Sequence, residues 1–220
     1  MLHRIILVTG HYGSGKTNFS VNLALACRQA GKRVVLCDLD IVNPYFRSAD
    51  FEELMHCRGI ETISPTFANT NLDTPSLGAG LSAAIQQPEK TVIVDVGGDD
   101  AGAVALGRYA PEIAKGAYSM LYIYNRYRYL TRKAADALEI LQEIAAASRL
   151  RHQFIINNSN LGEETDCQVV EGSFAACEEL SKQSGLPVAC VCAPRAIAGE
   201  LSCGQPVFPI DLYVKKPWES

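Results

Sequence analysis

Gly10-His11-Tyr12-Gly13-Ser14-Gly15-Lys16-Thr17 fits the pattern GxxxxGK[ST] at every fixed position. Just before it runs Ile5-Ile6-Leu7-Val8, an apolar stretch with strand character. Just after it, Phe19, Leu23, Ala26, Cys27 and Ala30 recur on one helical stripe, which Gly31 ends. A strand, a glycine turn and a helix in that order wrap successive backbone N–H groups around an anion. The dipole of the helix N-terminus favours the same charge. Lys16 then reaches the β- and γ-phosphates of a nucleotide, and the Thr17 hydroxyl is a ligand for Mg²⁺. Gly10, Gly13, Ser14, Gly15 and Asn18 complete the expected phosphate-binding set. The competing reading, a chance glycine-rich turn before a helix, does not account for the strand and helix on either side.

Outward from this loop, strand and helix patterns alternate to the end of the chain. Strands are expected at 4–9, 33–37, 91–95, 119–124, 152–157 and 188–192. They are continuous apolar runs, as in parallel strands covered on both faces. Ala134, Leu138, Leu141, Ile144 and Ala145 form a second helical stripe, with Thr131 as its expected N-cap. A third helix is expected over 165–184, with Val170, Phe174 and Cys177 on one side and Gly185-Leu186-Pro187 as its stop. Residues 41–90 are the least regular, with short helices expected at 49–57 and 76–86. The expected fold is α/β: a three-layer P-loop NTPase fold with a mostly parallel central sheet flanked by helices, and residues 1–220 as a single domain.

The bulk properties narrow the function classes. A net charge of −4 over 220 residues argues against a basic surface, so nucleic acid is not an expected partner. No apolar run is long enough for a membrane helix, and the N-terminal one is too short for a signal-peptide core, so the expected location is cytoplasmic with no membrane partner. The eight cysteines include no CxxC pair and read as reduced, small core residues.

Two acidic elements join the loop. Thr91-Val92-Ile93-Val94-Asp95-Val96-Gly97-Gly98 is an apolar strand ending in an acid and two glycines. Asp95 is placed to hold Mg²⁺ directly or through water, and a glycine after it lets a backbone N–H approach the γ-phosphate. Alone, such an aspartate more often caps a turn; beside the loop, the cation reading is the stronger one. Val34-Val35-Leu36-Cys37-Asp38-Leu39-Asp40 crowds two more carboxylates at a strand end, which calls for a cation or an attacking water nearby.

The three elements together resemble the MinD/ParA/CooC group of P-loop ATPases, over nearly the whole chain. Residues 38–47 (Asp-Leu-Asp-Ile-Val-Asn-Pro-Tyr-Phe-Arg) and 95–102 (Asp-Val-Gly-Gly-Asp-Asp-Ala-Gly) look like a subgroup described only as ATP-binding proteins. The resemblance implies ATP and Mg²⁺ as ligands. It implies that Asp40, with Asp38 second, positions or activates the attacking water, and that 43–47 and 98–102, beginning at Gly98, are the two switches. It implies an adenine contact from Asn157 or Asn158, with Pro194 and Arg195 flanking base or ribose. A partner protein, a homodimer and a role in metalloenzyme maturation are implied by the same likeness. The group carries a lysine right after the first glycine of the loop, which reaches the partner's nucleotide across a dimer. His11 stands there, and a neutral imidazole cannot supply that permanent charge; Arg47 is one cation that could serve instead.

Other stretches weigh less. Cys190-Val191-Cys192 invites a metal, but residues two apart in a regular strand lie roughly 7 Å apart, too far for one Zn²⁺ at about 2.3 Å from each thiolate. Core cysteines are the better reading. Asn125-Arg126-Tyr127-Arg128-Tyr129 reads as a loop at the nucleotide edge of the sheet more than as a nucleic-acid contact. Residues 214–218 carry two lysines and a tryptophan but no amphipathic helix. Three functions are compatible with the motifs: a switch ATPase hydrolysing ATP with Mg²⁺ for a partner protein, a small-molecule kinase or ATP-dependent ligase on the same loop, and a nucleotide-binding module without turnover.

Overall fold

The computed structural model describes residues 2–40, 49–64, 76–98 and 100–213. Eight strands form one sheet: β1 (Ile5–Thr9), β2 (Arg33–Asp38), β3 (Glu61–Ile63), β4 (Lys90–Asp95), β5 (Tyr118–Tyr124), β6 (Phe154–Asn157), β7 (Val188–Pro194) and β8 (Val207–Ile210). Their order is β3-β2-β4-β1-β5-β6-β7-β8, and every neighbouring pair is parallel. All six expected strands are present. The two unexpected ones lie at the sheet's edges. β3 has only three residues, too few to show a period. β8 contains Pro209, which argues against a central strand and is tolerated here because β8 pairs only with β7.

Helices cover both faces. The helices are α1 (Lys16–Gln29), α2 (Ala49–Cys57), α3 (Ser76–Gln86), α4 (Asp100–Gly107), α5 (Ala110–Ile113), α6 (Ala134–Ser148), α7 (Cys167–Glu171) and α8 (Phe174–Ser184). Alternation along the strands divides the core. Ile6, Val8, Leu36, Ile93 and Leu121 meet Phe19 and Leu23 of α1 and Met55 of α2. Their neighbours Leu7, Val35, Val92 and Val94 meet Leu81 of α3, Leu106 of α4 and Ile113 of α5. Further along, Tyr122, Tyr124 and Ile155 pack on Leu141 of α6 and Leu180 of α8. The central strands are thus buried on both sides, which is why they read as unbroken apolar runs. No helix among the described residues is long and apolar enough to cross a membrane.

Two local expectations are corrected. Thr131 does not cap α6: its Oγ1 donates to the Asn125 carbonyl at 2.6 Å, within a short 3₁₀ turn, and Lys133 occupies the cap position. The helix expected over 165–184 is two helices, α7 and α8, parted at Gly172-Ser173. Ser173 is fully buried at that break; its Oγ donates to the Val170 carbonyl at 2.5 Å and accepts from Asn157 at 2.8 Å. The Gly172 carbonyl accepts from Arg126. A break that places two polar groups for use elsewhere leaves no trace in hydrophobic period.

His152 is locked beneath the sheet. Thr9 Oγ1 donates to the Leu121 carbonyl at 2.9 Å, so its proton is used, and the 2.8 Å contact with His152 Nε2 must be an N–H donated by the ring. Nδ1 is left bare, buried and without a partner among the described residues. A proton there would be a buried, unpaired charge, and burial depresses the imidazole from 6.5 to about 3. The unfolded chain therefore binds a proton that the folded one refuses between those values. This contribution is complete above pH 6.5 and is lost as pH falls toward 3. His152→Phe keeps the ring and removes the proton site. Urea melts of the variant are expected to show a flatter fall in stability between about pH 6.5 and 4 than wild type; a slope equal to wild type would contradict this.

Candidate nucleotide site

The loop between β1 and α1 is set against β5 by close packing. Gly10 has φ 146°, and a Cβ there would lie 2.5 Å from the Ile123 carbonyl oxygen of β5, so only glycine fits so close to the neighbouring strand. Lys16, at the start of α1, is nine-tenths buried and donates from Nζ to the His11 carbonyl at 3.1 Å, which turns its amine back over the loop. The His11 imidazole is held below its ordinary range by burial and then by the Lys16 charge. It is neutral at pH 7 and adds no permanent positive charge.

The acids converge from adjacent strand ends. Thr17 Oγ1 donates to Asp95 Oδ2 at 2.7 Å, and Ser20 Oγ, one turn along α1, donates to Asp95 Oδ1 at 3.1 Å. Asp38 of β2 and Asp95 of β4 are register partners, both at most 2% exposed. Asp38 Oδ1 accepts the backbone N–H of Asp40 at 2.7 Å, tying the third acid to the first. Burial pushes Asp95 up to about 6, against the Lys16 charge and the Thr17 and Ser20 hydrogen bonds; the Asp40 charge adds to the rise. This donor set fits a hard divalent cation: an all-oxygen group of one hydroxyl and neighbouring carboxylates whose mutual repulsion a cation relieves. The linkage is opposite to that of His152. A raised carboxyl stabilises the fold fully below 3.8, and that contribution is lost as pH rises through about 6.

Gly98 closes the mouth. A Cβ on it would lie 2.7 Å from Lys16 Nζ and 2.7 Å from the Tyr12 backbone, so the chain after β4 touches the loop only because the residue is glycine. Behind the loop, Asn158 Nδ2 donates to the Ser14 carbonyl at 2.8 Å. Asn157 faces away: its Nδ2 is given to Ser173 and its Oδ1 accepts the Ser159 N–H at 3.2 Å. Of the two asparagines left open by the sequence, Asn158 is the one in contact with the loop.

Other expected residues lie elsewhere. The Asn18 side chain is engaged away from the phosphate loop: Nδ2 donates to the Asp211 carbonyl at 3.0 Å and Oδ1 accepts the Tyr213 N–H at 2.9 Å. With Asn22, which exchanges two hydrogen bonds with the Asp211 backbone, it straps the segment after β8 to α1. With its side chain engaged there, the expected place of Asn18 in the phosphate-binding set would rest on its backbone N–H. Pro194 ends β7, and Arg195 beside it forms a forked ion pair with Asp211, Nη2 to Oδ2 at 2.8 Å. Cys192 is buried and Cys190 partly so, and burial pushes the Cys192 thiol up. The expected first switch at 43–47, with Arg47, lies outside the described residues, as do Asp99 and 214–218.

Sequence reading missed two contacts at the loop. Ser20 sits one turn after Thr17, on the same helical face, a spacing that could have flagged it. Arg128, in the loop after β5, donates from Nε to the Gly13 carbonyl at 2.7 Å. Reading 125–129 as a loop at the nucleotide edge put Arg128 in this neighbourhood, but only strand order, with β5 next to β1, selects Gly13 as its partner.

Comparison with known proteins agrees with this fold. Among solved structures, the chain is similar to the cell division protein FtsY of Thermotoga maritima, with 20% identity and a TM-score of 0.55 over 85% of this chain and 60% of that one. It is similar to chloroplast FtsY of Physcomitrella patens, at 16% and 0.56 over 85% and 57%. It also resembles a nucleotide-binding protein of Archaeoglobus fulgidus in complex with ADP, at 16% and 0.51 over 94% and 81%. At such identities these likenesses establish the fold, and the chain spans about three fifths of the FtsY chains. No curated protein sequence matches it significantly. The family described as the CobQ/CobB/MinD/ParA nucleotide binding domain matches residues 5–175, from β1 to the start of α8. With a P-loop, a buried strand-end acid and an all-parallel sheet in place, the chain belongs to the CobQ/CobB/MinD/ParA nucleotide-binding domain family.

Proposed function

We propose that the protein binds ATP with Mg²⁺ and hydrolyses it, using the cycle to change its contacts with a partner protein. The observation that carries this is the Thr17–Asp95 hydrogen bond, with Asp38 in register beside it. Two buried carboxylates next to a P-loop hydroxyl store negative charge in the place where a metal–triphosphate would neutralise it. Thr17 and Asp95 would hold the cation, Asp95 directly or through water. The metal would polarise the phosphoryl oxygens, while this chain's own residues bind and orient. The amides of 10–17 and Lys16 would grip the phosphates, and Gly98 would bring its backbone to the γ-phosphate. Asp40, with Asp38 second, would hold the attacking water. Pro194 and Arg195 would flank base or ribose.

Adenine over guanine is supported by Asn157-Asn158-Ser159-Asn160, which lacks the lysine and aspartate of the guanine-reading Asn-Lys-x-Asp. Asn158, braced against Ser14, is the base contact of choice. The test is release of the diphosphate from ATP and GTP, with Mg²⁺ or with a chelator, alone and with lysate fractions supplying a partner. Mg²⁺-dependent release favouring ATP by about tenfold is expected, with Asn158→Ala weakening ATP binding by about tenfold, the worth of one or two hydrogen bonds. No release above blank under any condition would remove the hydrolase reading and leave a binding module.

A further inference from the structure

The polyphosphate end of the site is short of positive charge. Three acids, Asp38, Asp40 and Asp95, gather near it. Against them the loop itself supplies only Lys16. His11 stands where a permanent cation is expected and is kept neutral by burial and by Lys16. A triphosphate entering the site would need another cation, since charge on the terminal phosphoryl oxygens is what P-loop catalysis must stabilise.

Arg128 is the described cation in position to meet that need. Its Nε is fixed on the Gly13 carbonyl at 2.7 Å, and a Cβ built on Gly13 would lie 3.5 Å from that Nε and 3.8 Å from Cζ, so the guanidinium lies against the loop at Gly13. The remaining N–H groups of its fork have no partner among the described residues. Gly13 is the residue after Tyr12, whose backbone abuts Gly98 beside Lys16 Nζ. The fork is therefore anchored one residue from the end of the loop where the terminal phosphate belongs. Its loop is itself braced: Arg126 donates to the Gly172 carbonyl, Tyr127 Oη to the Val169 carbonyl at 2.6 Å, and Thr131 Oγ1 to Asn125. The break between α7 and α8 thus helps to hold the segment that carries Arg128.

We infer that Arg128 binds the terminal phosphate of the triphosphate from within the same chain, supplying the charge that His11 does not. The inference rests on the nucleotide reading above. A guanidinium pre-placed by a backbone carbonyl gives up little freedom on binding and offers two N–H groups to phosphoryl oxygens. Arg128 would distinguish triphosphate from diphosphate, not adenine from guanine.

The test is calorimetric titration with Mg²⁺–ADP and with a non-hydrolysable Mg²⁺–ATP analogue, at one fixed salt concentration, on wild type, Arg128→Ala, Arg128→Lys and Arg132→Ala. For Arg128→Ala the analogue is expected to bind at least about tenfold more weakly, with ADP changed by less than about threefold, as for one lost charge-assisted contact. Arg128→Lys should recover part of the loss, because the charge remains without the fork. Arg132→Ala, which removes an exposed arginine four residues further on, should match wild type and controls for the general charge of the loop. Wild type binding both nucleotides with Arg128→Ala unchanged, or weakened equally for both, overturns the inference alone. Wild type binding neither overturns the nucleotide reading and this inference with it.

Discussion

Replacing Lys16 with alanine is expected to lower affinity for Mg²⁺–ATP by about 100-fold or more, while the fold survives. The loss should be large because Lys16 is the cation the loop itself holds among buried acids. Its amine already lies over the loop on the His11 carbonyl, and its charge is one of the influences that hold Asp95 down. Two charge-assisted phosphate contacts at about 1.5–3 kcal/mol each account for a loss of that order. Removing the amine also frees Asp95 to rise further above 6, so cation uptake should weaken most at mildly acid pH. Calorimetry at pH 6.0 and 8.0 reads both effects. Wild-type affinity in the variant would mean that the triphosphate lies elsewhere. A cooperative melt near the wild-type temperature separates lost binding from lost structure.

Much of this site is legible in the sequence because it is local. Gly10 through Thr17 lie within one turn and one helix start, so spacing along the chain is spacing in space. Asp38 and Asp95 are also legible, because each closes an apolar run, and parallel strands deliver their carboxyl ends to one edge of the sheet. Contacts set by strand order are not. The sequence puts 125–129 at the nucleotide edge, but Arg128 reaches Gly13 because β5 is hydrogen-bonded to β1 with Thr9 opposite Tyr122, and nothing within 119–129 announces that particular partner. The same holds for Asn18. Read as part of the loop, it looks like a phosphate ligand; in the fold it is a clamp on Asp211 and Tyr213, nearly two hundred residues away. Edge strands fail for another reason. The buried central strands announce themselves through unbroken apolar runs, whereas β8 at the rim tolerates a proline that a central position would refuse.

The architecture also explains why acids can be stacked here at all. β2, β4 and β1 lie side by side, and their carboxyl ends present Asp38, Asp95 and the loop in one row. Each acid is held by a different kind of donor: Asp95 by two hydroxyls of α1, Asp38 by the backbone of Asp40. Hydroxyls can hold a carboxylate and still release an oxygen to a metal. A backbone amide held in place by its own strand end is a less exchangeable partner. Under the proposed function, this division would suit Asp95 to the cation and Asp38 to shaping the chain that presents Asp40.

Asp40→Ala and Asp38→Ala should therefore fail differently. Asp40 is partly exposed at the end of the described strand-end segment, with its backbone anchored and its carboxylate close enough for its charge to raise Asp95. Removing that carboxylate should cost about 100-fold in turnover, the worth of a positioned base, with ATP affinity held within about threefold. Loss of a negative charge near the phosphates even favours binding slightly. Asp38→Ala removes a buried group whose oxygen fixes the Asp40 amide, so it should lower turnover, Mg²⁺ affinity and melting temperature together. The measurements are single-turnover release of ADP and titration with a non-hydrolysable ATP analogue, set beside thermal melts. Should Asp40→Ala turn over at the wild-type rate, the attacking water is held by another group. Should Asp38→Ala instead lose turnover alone, with binding and melting intact, the two aspartates exchange roles, and the buried acid is the one that faces the reaction.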